Sequence, residues 1–337
     1  MSIQTKRLIR FLARILVTIS LLVWVFSRVD VDQFLLAVKT ARWHYLIGVW
    51  VLTAAFFGVQ SIALQVVLRK QGCEVSRANL FAASSVTALY SLVLPSILST
   101  GVKWYILKKH TGKGSNVLSS MLYNQFSLLF AMIVLGLLAL MLTNPSSQLL
   151  TTNSKWLLPV VCGGLLAAMI LIYWLLANSR TGTKITEALG FLLRPFPRHF
   201  HQKGQDVLSQ IAAFQKAGLR FHLAIATINI LDGLLVGTLI YLFAARSAHV
   251  DVALGVLVWL CAIVFVLGKV PISVANLGVR EVTLVGLLAS YGVRTSSALL
   301  MSMILFSSLI FMAAIGAVYQ LYWSWSAAKN TAAKNLE

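Results

Sequence analysis

Acidic residues are scarce: Asp and Glu number 9 in 337 residues, against 28 Lys and Arg, giving a formal charge of +19. Charge of either sign is also scarce, at 11% of the chain, where soluble domains carry about 25%. An excess of base this large suggests nucleic acid, but that reading needs a solvated basic face, and 59% of the residues are apolar. Composition therefore excludes both an ordinary soluble globule and a nucleic-acid binder. The 3 cysteines (Cys73, Cys162, Cys261) lie far apart, with neither a disulfide framework nor metal-ligand spacing. P-loop, nucleophile-elbow and prenyl-diphosphate motifs are missing too, so the sequence offers no enzyme signature and implies no cofactor.

What the chain has is long uncharged runs. Residues 43–68, 114–154, 156–179 and 295–328 contain no Asp, Glu, Lys or Arg. A bilayer core takes roughly 20 apolar residues per helix. Backbone groups in lipid must bond internally, so these runs read as transmembrane helices. Residues 8–26 add a first helix behind Lys6, Arg7, Arg10 and Arg14, with no small-residue cleavage site after it. The positive-inside rule then puts the N-terminus in the cytoplasm. Residues 27–42 are expected to form an outer loop of mixed charge. Residues 43–68 return to the cytoplasmic face, 117–142 exit, 156–177 return, 221–245 exit, and 296–322 end inside.

Between residues 69 and 116 the basic residues Arg69, Lys70, Arg77, Lys103, Lys108, Lys109 and Lys113 face a single acid, Glu74. An apolar stretch, 78–102, divides them. A single crossing would put four of the lysines outside, whereas a re-entrant hairpin broken at Leu94-Pro95 keeps all of them inside. Residues 178–220 are the longest polar stretch and are expected to lie in the cytoplasm as amphipathic helices on the membrane surface.

Two segments are alike: Leu94-Pro95-Ser96-Ile97-Leu98-Ser99-Thr100-Gly101-Val102-Lys103 and Val270-Pro271-Ile272-Ser273-Val274-Ala275-Asn276-Leu277-Gly278-Val279-Arg280. Each runs from a proline to a Gly-Val-basic triplet, and a long uncharged helix follows. The segment from Glu281 to Tyr291 makes only about 16 Å of helix, too short for about 30 Å of hydrocarbon. The expected fold is an all-α polytopic membrane protein of six to eight transmembrane helices with re-entrant half-helices in an inverted repeat. It forms a single membrane domain over 1–337, with halves 1–142 and 221–325 joined through the 178–220 loop.

These motifs, with "RVDVDQFLLAV" after the first helix and "LRKQG" at 68–72, give the chain a resemblance over nearly its whole length. It resembles the lysylphosphatidylglycerol synthase transmembrane-region family, flippase-like proteins found alone or fused to a soluble synthase. The resemblance implies a role in moving or presenting lipids with phosphate-bearing heads in a bacterial inner membrane. The partners it implies are anionic lipids and a cytoplasmic or membrane-bound lipid-synthesis enzyme. Family members often carry an acidic-basic pair where this chain has Tyr123-Asn124-Gln125.

Candidate substrate-binding residues follow from chemistry. Arg280, beside Glu281 at a half-helix start, adds a bidentate phosphate donor to free backbone N–H groups; its alternative is an interfacial ion pair or cap. Gly278 and Asn276 belong to the same turn. Lys103 and Gly101 are their counterparts in the first motif, and Lys269 precedes the second. Asp232 sits mid-helix, where an ionisable group costs about 2.5–3.5 kcal/mol to insert. It is read as a partner of Arg280, Lys269 or a lipid amine, or as a structural residue bonded to Asn229. The expected function is flipping of a phospholipid, aminoacyl-phospholipid or polyprenyl-phosphate-linked lipid, by rocking one repeat against the other. Two alternatives stand: a membrane glycosyltransferase or lipid-modifying enzyme using Asp30 or Asp32, and a non-transporting scaffold for an envelope-biogenesis partner. His199 and His201 are too few ligands for a metal.

Overall fold

Apolar runs leave the backbone no partner but itself, and helices result. A computed structural model of the protein describes residues 31–94, 96–149, 156–177, 214, 217–270 and 276–334, and no strand occurs among them. The first expected helix, 8–26, and nearly all of the 178–220 loop lie outside the described residues. The order is α1 (Val31–Thr40), α2 (Trp43–Lys70), α3 (Arg77–Ser91), α4 (Ser96–Thr111), α5 (Gly114–Thr143), α6 (Ser146–Leu149) and α7 (Leu157–Ala177). Then follow α8 (Leu219–Leu231), a π-helical turn (Asp232–Gly237), α9 (Thr238–Ser247), α10 (Leu254–Leu267), α11 (Val279–Ala289) and α12 (Thr295–Lys334).

Four stretches are long and apolar enough to cross a membrane: α2, α5, the continuous rod Leu219–Ser247, and Thr295–Ser326 of α12. The expected outer loop at 27–42 is largely helical instead. Asp32 in the first turn of α1 and Lys39 in its last turn complement the helix dipole. The apolar stretch 78–102 is broken where proline demands it: α3 ends at Ser91 and α4 starts at Ser96. With 15 and 16 residues, α3 and α4 are about 22 and 24 Å long. The 14-residue α10 and 11-residue α11 are shorter still.

Both ends of the α3–α4 segment meet at the C-terminal end of α2. Gln65 Nε2 donates to the Val75 carbonyl (2.8 Å) and Arg77 Nε to Gln65 Oε1 (3.1 Å). On the far side of α4, Lys113 Nζ donates to the Gly72 carbonyl (3.0 Å) and Asn116 Nδ2 to that of Gln71 (3.2 Å). At the other end of α2, the Arg42 N–H donates to the Ser247 carbonyl (3.2 Å), so α2 and α9 run antiparallel. Trp259 on α10 stacks obliquely on Tyr291, just past α11, with centroids 6.3 Å apart.

The main packing is crossed: α12 lies on α3, α5 on α10, and α2 on α9. Small residues let these helices approach closely, as in membrane bundles generally. A β-carbon on Gly316 of α12 would fall onto the Ser85 carbonyl of α3, and one on Gly136 of α5 would come within 2.7 Å of the Ala262 side chain on α10. The largest core gathers Trp259, Leu257, Leu260, Leu284, Leu288 and Leu299. α7 packs on α5 alone among the principal contacts and leaves Val160, Val161, Leu165, Ile170 and Leu171 exposed, as a lipid-facing helix would.

Candidate functional site

Breaking α3–α4 and α10–α11 puts polar side chains where uninterrupted helices would bury only apolar ones. Two cavities result. The first, about 230 Å³, lies between α2, α3, α4 and α5 and the end of α10, and both Lys103 and Lys269 line it. The second, about 300 Å³, lies against α9, α10 and α11, and is lined by Lys269, Asn276 and Arg280. Phe56, Phe57, Phe265, Leu309 and Lys269 line both, so the two open on a shared aromatic wall.

Lys269 Nζ donates to Gln125 Oε1 (3.1 Å) and stands 4.5 Å from the centroid of the Phe265 ring. Lys103 has no ion-pair partner among the described residues, and the Lys269 ammonium repels it. No Asp or Glu lines either cavity. Their remaining polar groups include Gln60, Ser84, Thr87, Ser91, Thr100, Asn124 and Gln125 around the first, and Thr53, Thr283 and Ser308 around the second. Among the described residues no group of three or more His, Cys, Asp or Glu could hold a metal.

Arg280 reaches the second cavity, and two of its five donors are engaged at home. Its Nη2 donates to Glu281 Oε1 (2.6 Å) and its Nε to Ser302 Oγ (2.8 Å), and its guanidinium stacks 5.2 Å from Phe306. Ser302 donates to the same carboxylate oxygen (2.8 Å), and Glu281 Oε2 accepts the Gly278 N–H (2.7 Å). The turn ahead of α11 uses positive φ at Asn276 (58°) and Gly278 (83°), the two residue types that tolerate it best. Glu281 and Gly278 are thus buried supports of α11. Gly101 is exposed on α4, with open space where a side chain would stand.

Asp232 opens the π-helical turn and is 2% exposed. It meets neither Arg280 nor Lys269. Its Oδ2 accepts from Gln60 Nε2 (2.8 Å), which also donates to Asn229 Oδ1 (3.2 Å). Asn229 Nδ2 donates to Ser127 Oγ (3.0 Å), and Asn124 Nδ2 reaches Gln60 Oε1 (3.5 Å). Gln60, Ser127 and Ser302 escaped the sequence reading. An amide near the middle of an uncharged span, one of two with Gln65, was the available signal for Gln60; the serines gave none. Asp32 lies in the first turn of α1, while Asp30, His199 and His201 fall outside the described residues.

No curated protein and no solved structure matches the chain. Its long apolar helices are those of a multi-pass membrane protein. Residues 11–316 match the family model described as "Lysylphosphatidylglycerol synthase TM region", so the chain belongs to that family and is tied by it to membrane lipid.

Proposed function

We propose that the protein moves a lipid with a phosphate-bearing, net-negative head group between the leaflets of a bacterial inner membrane. One observation carries the reading: Lys103 and Lys269, from separate broken-helix segments, face one cavity without a carboxylate in its lining. An anion between two like charges that line one cavity relieves their repulsion. A phosphate is such an anion, and Gln125, Thr100 and Asn124 supply further polar contacts. Phe56, Phe57 and Phe265 give the acyl or prenyl chains an apolar wall. Of the lipid classes considered, an aminoacyl-phospholipid fits worst. It adds an ammonium, and two like charges 4 Å apart at an effective dielectric constant near 20 repel by about 4 kcal/mol.

In this reading the two halves, α2–α5 and α8–α12, form an inverted repeat. Each is a long span, two short helices broken beside a proline, and a second long span. The crossed packing of α3 on α12 and α5 on α10 supports that symmetry. The short pairs enter from opposite faces. The α2–α3 and α4–α5 turns, with Arg69, Lys70, Arg77, Lys108, Lys109 and Lys113, mark the cytoplasmic one. Rocking whole halves would break the crossed contacts. The second arms, α4 and α11, pack mainly within their own halves and are the parts that move.

Reconstitution tests the proposal. Fluorescent phosphatidylglycerol in proteoliposomes is scored by quenching of the outer leaflet. Hydrogen bonds to charged groups contribute about 1.5–3 kcal/mol, and each 1.4 kcal/mol is about tenfold. Lys103→Gln and Lys269→Gln should therefore each slow movement by about tenfold or more in protein that elutes as wild type. Wild-type rates in the double variant would refute the site.

A further inference from the structure

We infer that Asp232 is a proton-binding site coupled through Gln60 to the lipid cavity, so that lipid movement is driven by a proton gradient; this rests on the transport reading above. Three observations converge. A single carboxylate is buried within the Leu219–Ser247 span, where an ionisable group is costly unless it has a task. Its Oδ1 is buried with no hydrogen-bond partner among the described residues, and Asn124 Oδ1 in the same network is likewise unpartnered. The residue sits at the first position of a π-helical turn, an irregularity that often marks functional sites.

Gln60 makes the connection. Its side chain lines the cavity that holds Lys103 and Lys269, and the same side chain donates to Asp232 Oδ2 and Asn229 Oδ1. With Asp232 ionised, the Gln60 bond is charge-assisted, and the amide is held away from the head group. When a proton binds Oδ1, Asp232 becomes a neutral acid, and a neutral bond is roughly half as strong. Gln60 is then free to turn its N–H groups toward a phosphate. Loss of the proton to the other face recaptures the amide and releases the lipid. The proton enters and leaves as such; no bond to the lipid is made or broken.

Among the described residues no basic side chain is ion-paired or hydrogen-bonded to this carboxylate. The elements packed around the turn carry Tyr123 on α5, Arg220 and His222 on α8, Tyr241 and Arg246 on α9, Cys261 on α10 against Gly237, and His44, Tyr45, Arg69 and Lys70 at the two ends of α2. α2 presents Gln60. Lys103 and Lys269 lie beyond it in the cavity, and neither is hydrogen-bonded to Asp232.

The test uses the full chain in liposomes with fluorescent phosphatidylglycerol and an imposed pH gradient. At one proton per lipid, each pH unit should shift the steady-state leaflet ratio by about tenfold. The Asp232→Asn variant should bring the lipid to the same distribution with or without the gradient. An internal pH dye in wild-type vesicles should report proton flux that starts when the lipid is added, which keeps the test independent of how well the variant folds. Lipid movement in wild type with no gradient response and no proton flux overturns the coupling and leaves the transport reading intact. No movement under any gradient overturns both.

Discussion

Glu281→Ala separates structural from ligand-binding roles at the head of α11. The Glu281 side chain is 3% exposed and that of Arg280 10%. One carboxylate satisfies three donors: Arg280 Nη2, Ser302 Oγ and the Gly278 N–H. Truncation leaves all three short of an acceptor and leaves a guanidinium uncompensated in the protein interior. Breaking a buried pair by removing one partner costs about 3–5 kcal/mol, against a total stability of about 5–15 kcal/mol. Removing both charges is different. Replacement of a buried pair by apolar residues of similar volume is often neutral or better, so Arg280→Met combined with Glu281→Met should recover most of the loss. The assay is denaturant unfolding in detergent micelles for the wild type, Glu281→Ala, the single variants Arg280→Met and Glu281→Met, and the double variant, with lipid movement measured on each. A coupling of about 2–3 kcal/mol in the cycle, with transport retained in the double variant, is the expected result. Glu281→Ala protein as stable as wild type would refute the reasoning, as would a stable double variant that moves no lipid.

Two further outcomes follow from geometry. Gly316→Leu should prevent α12 from seating on α3, because the β-carbon alone meets the Ser85 backbone; the monodisperse peak in size-exclusion chromatography should vanish, while Gly58→Ala, which meets nothing, should elute as wild type. Cys73, 1% exposed in the turn after α2, should react slowly with maleimide near neutral pH until the protein is unfolded in SDS. Burial pushes its thiol up against the pull of Lys113, and the thiol form is the unreactive one.

The spans were readable because charge is absent from them, and the break at Pro95 because proline and a run of lysines point the same way. α1 was missed: a ten-residue amphipathic helix with three charges nearby looks like a loop when neighbouring helices are judged by hydropathy alone. The site was half legible. Lys103 and Lys269 stood out as cations at the edges of apolar segments, and the cavity brings them together. Arg280 was harder. Adjacent residues on a helix do not ordinarily face one another, yet at the first turn Glu281 folds back to cap Gly278 and meets the guanidinium there. The π-helical turn has no sequence signal. Nor does the choice of Gln60 over Arg280 as the neighbour of Asp232, since that depends on how the rod 219–247 is rotated against α2.

Crossed packing has a consequence for biosynthesis. Trp50 bonds to Ser307 across 257 residues of sequence, and α3 finds its main neighbour only in α12. The contact-making partners of the early helices are therefore still unmade while those helices enter the bilayer. Closure must wait until α12 has left the ribosome, and pairings that distant in sequence form slowly. Until then the inserted amino-terminal half keeps its glycine-matched grooves open to lipid, to insertion chaperones and to membrane proteases.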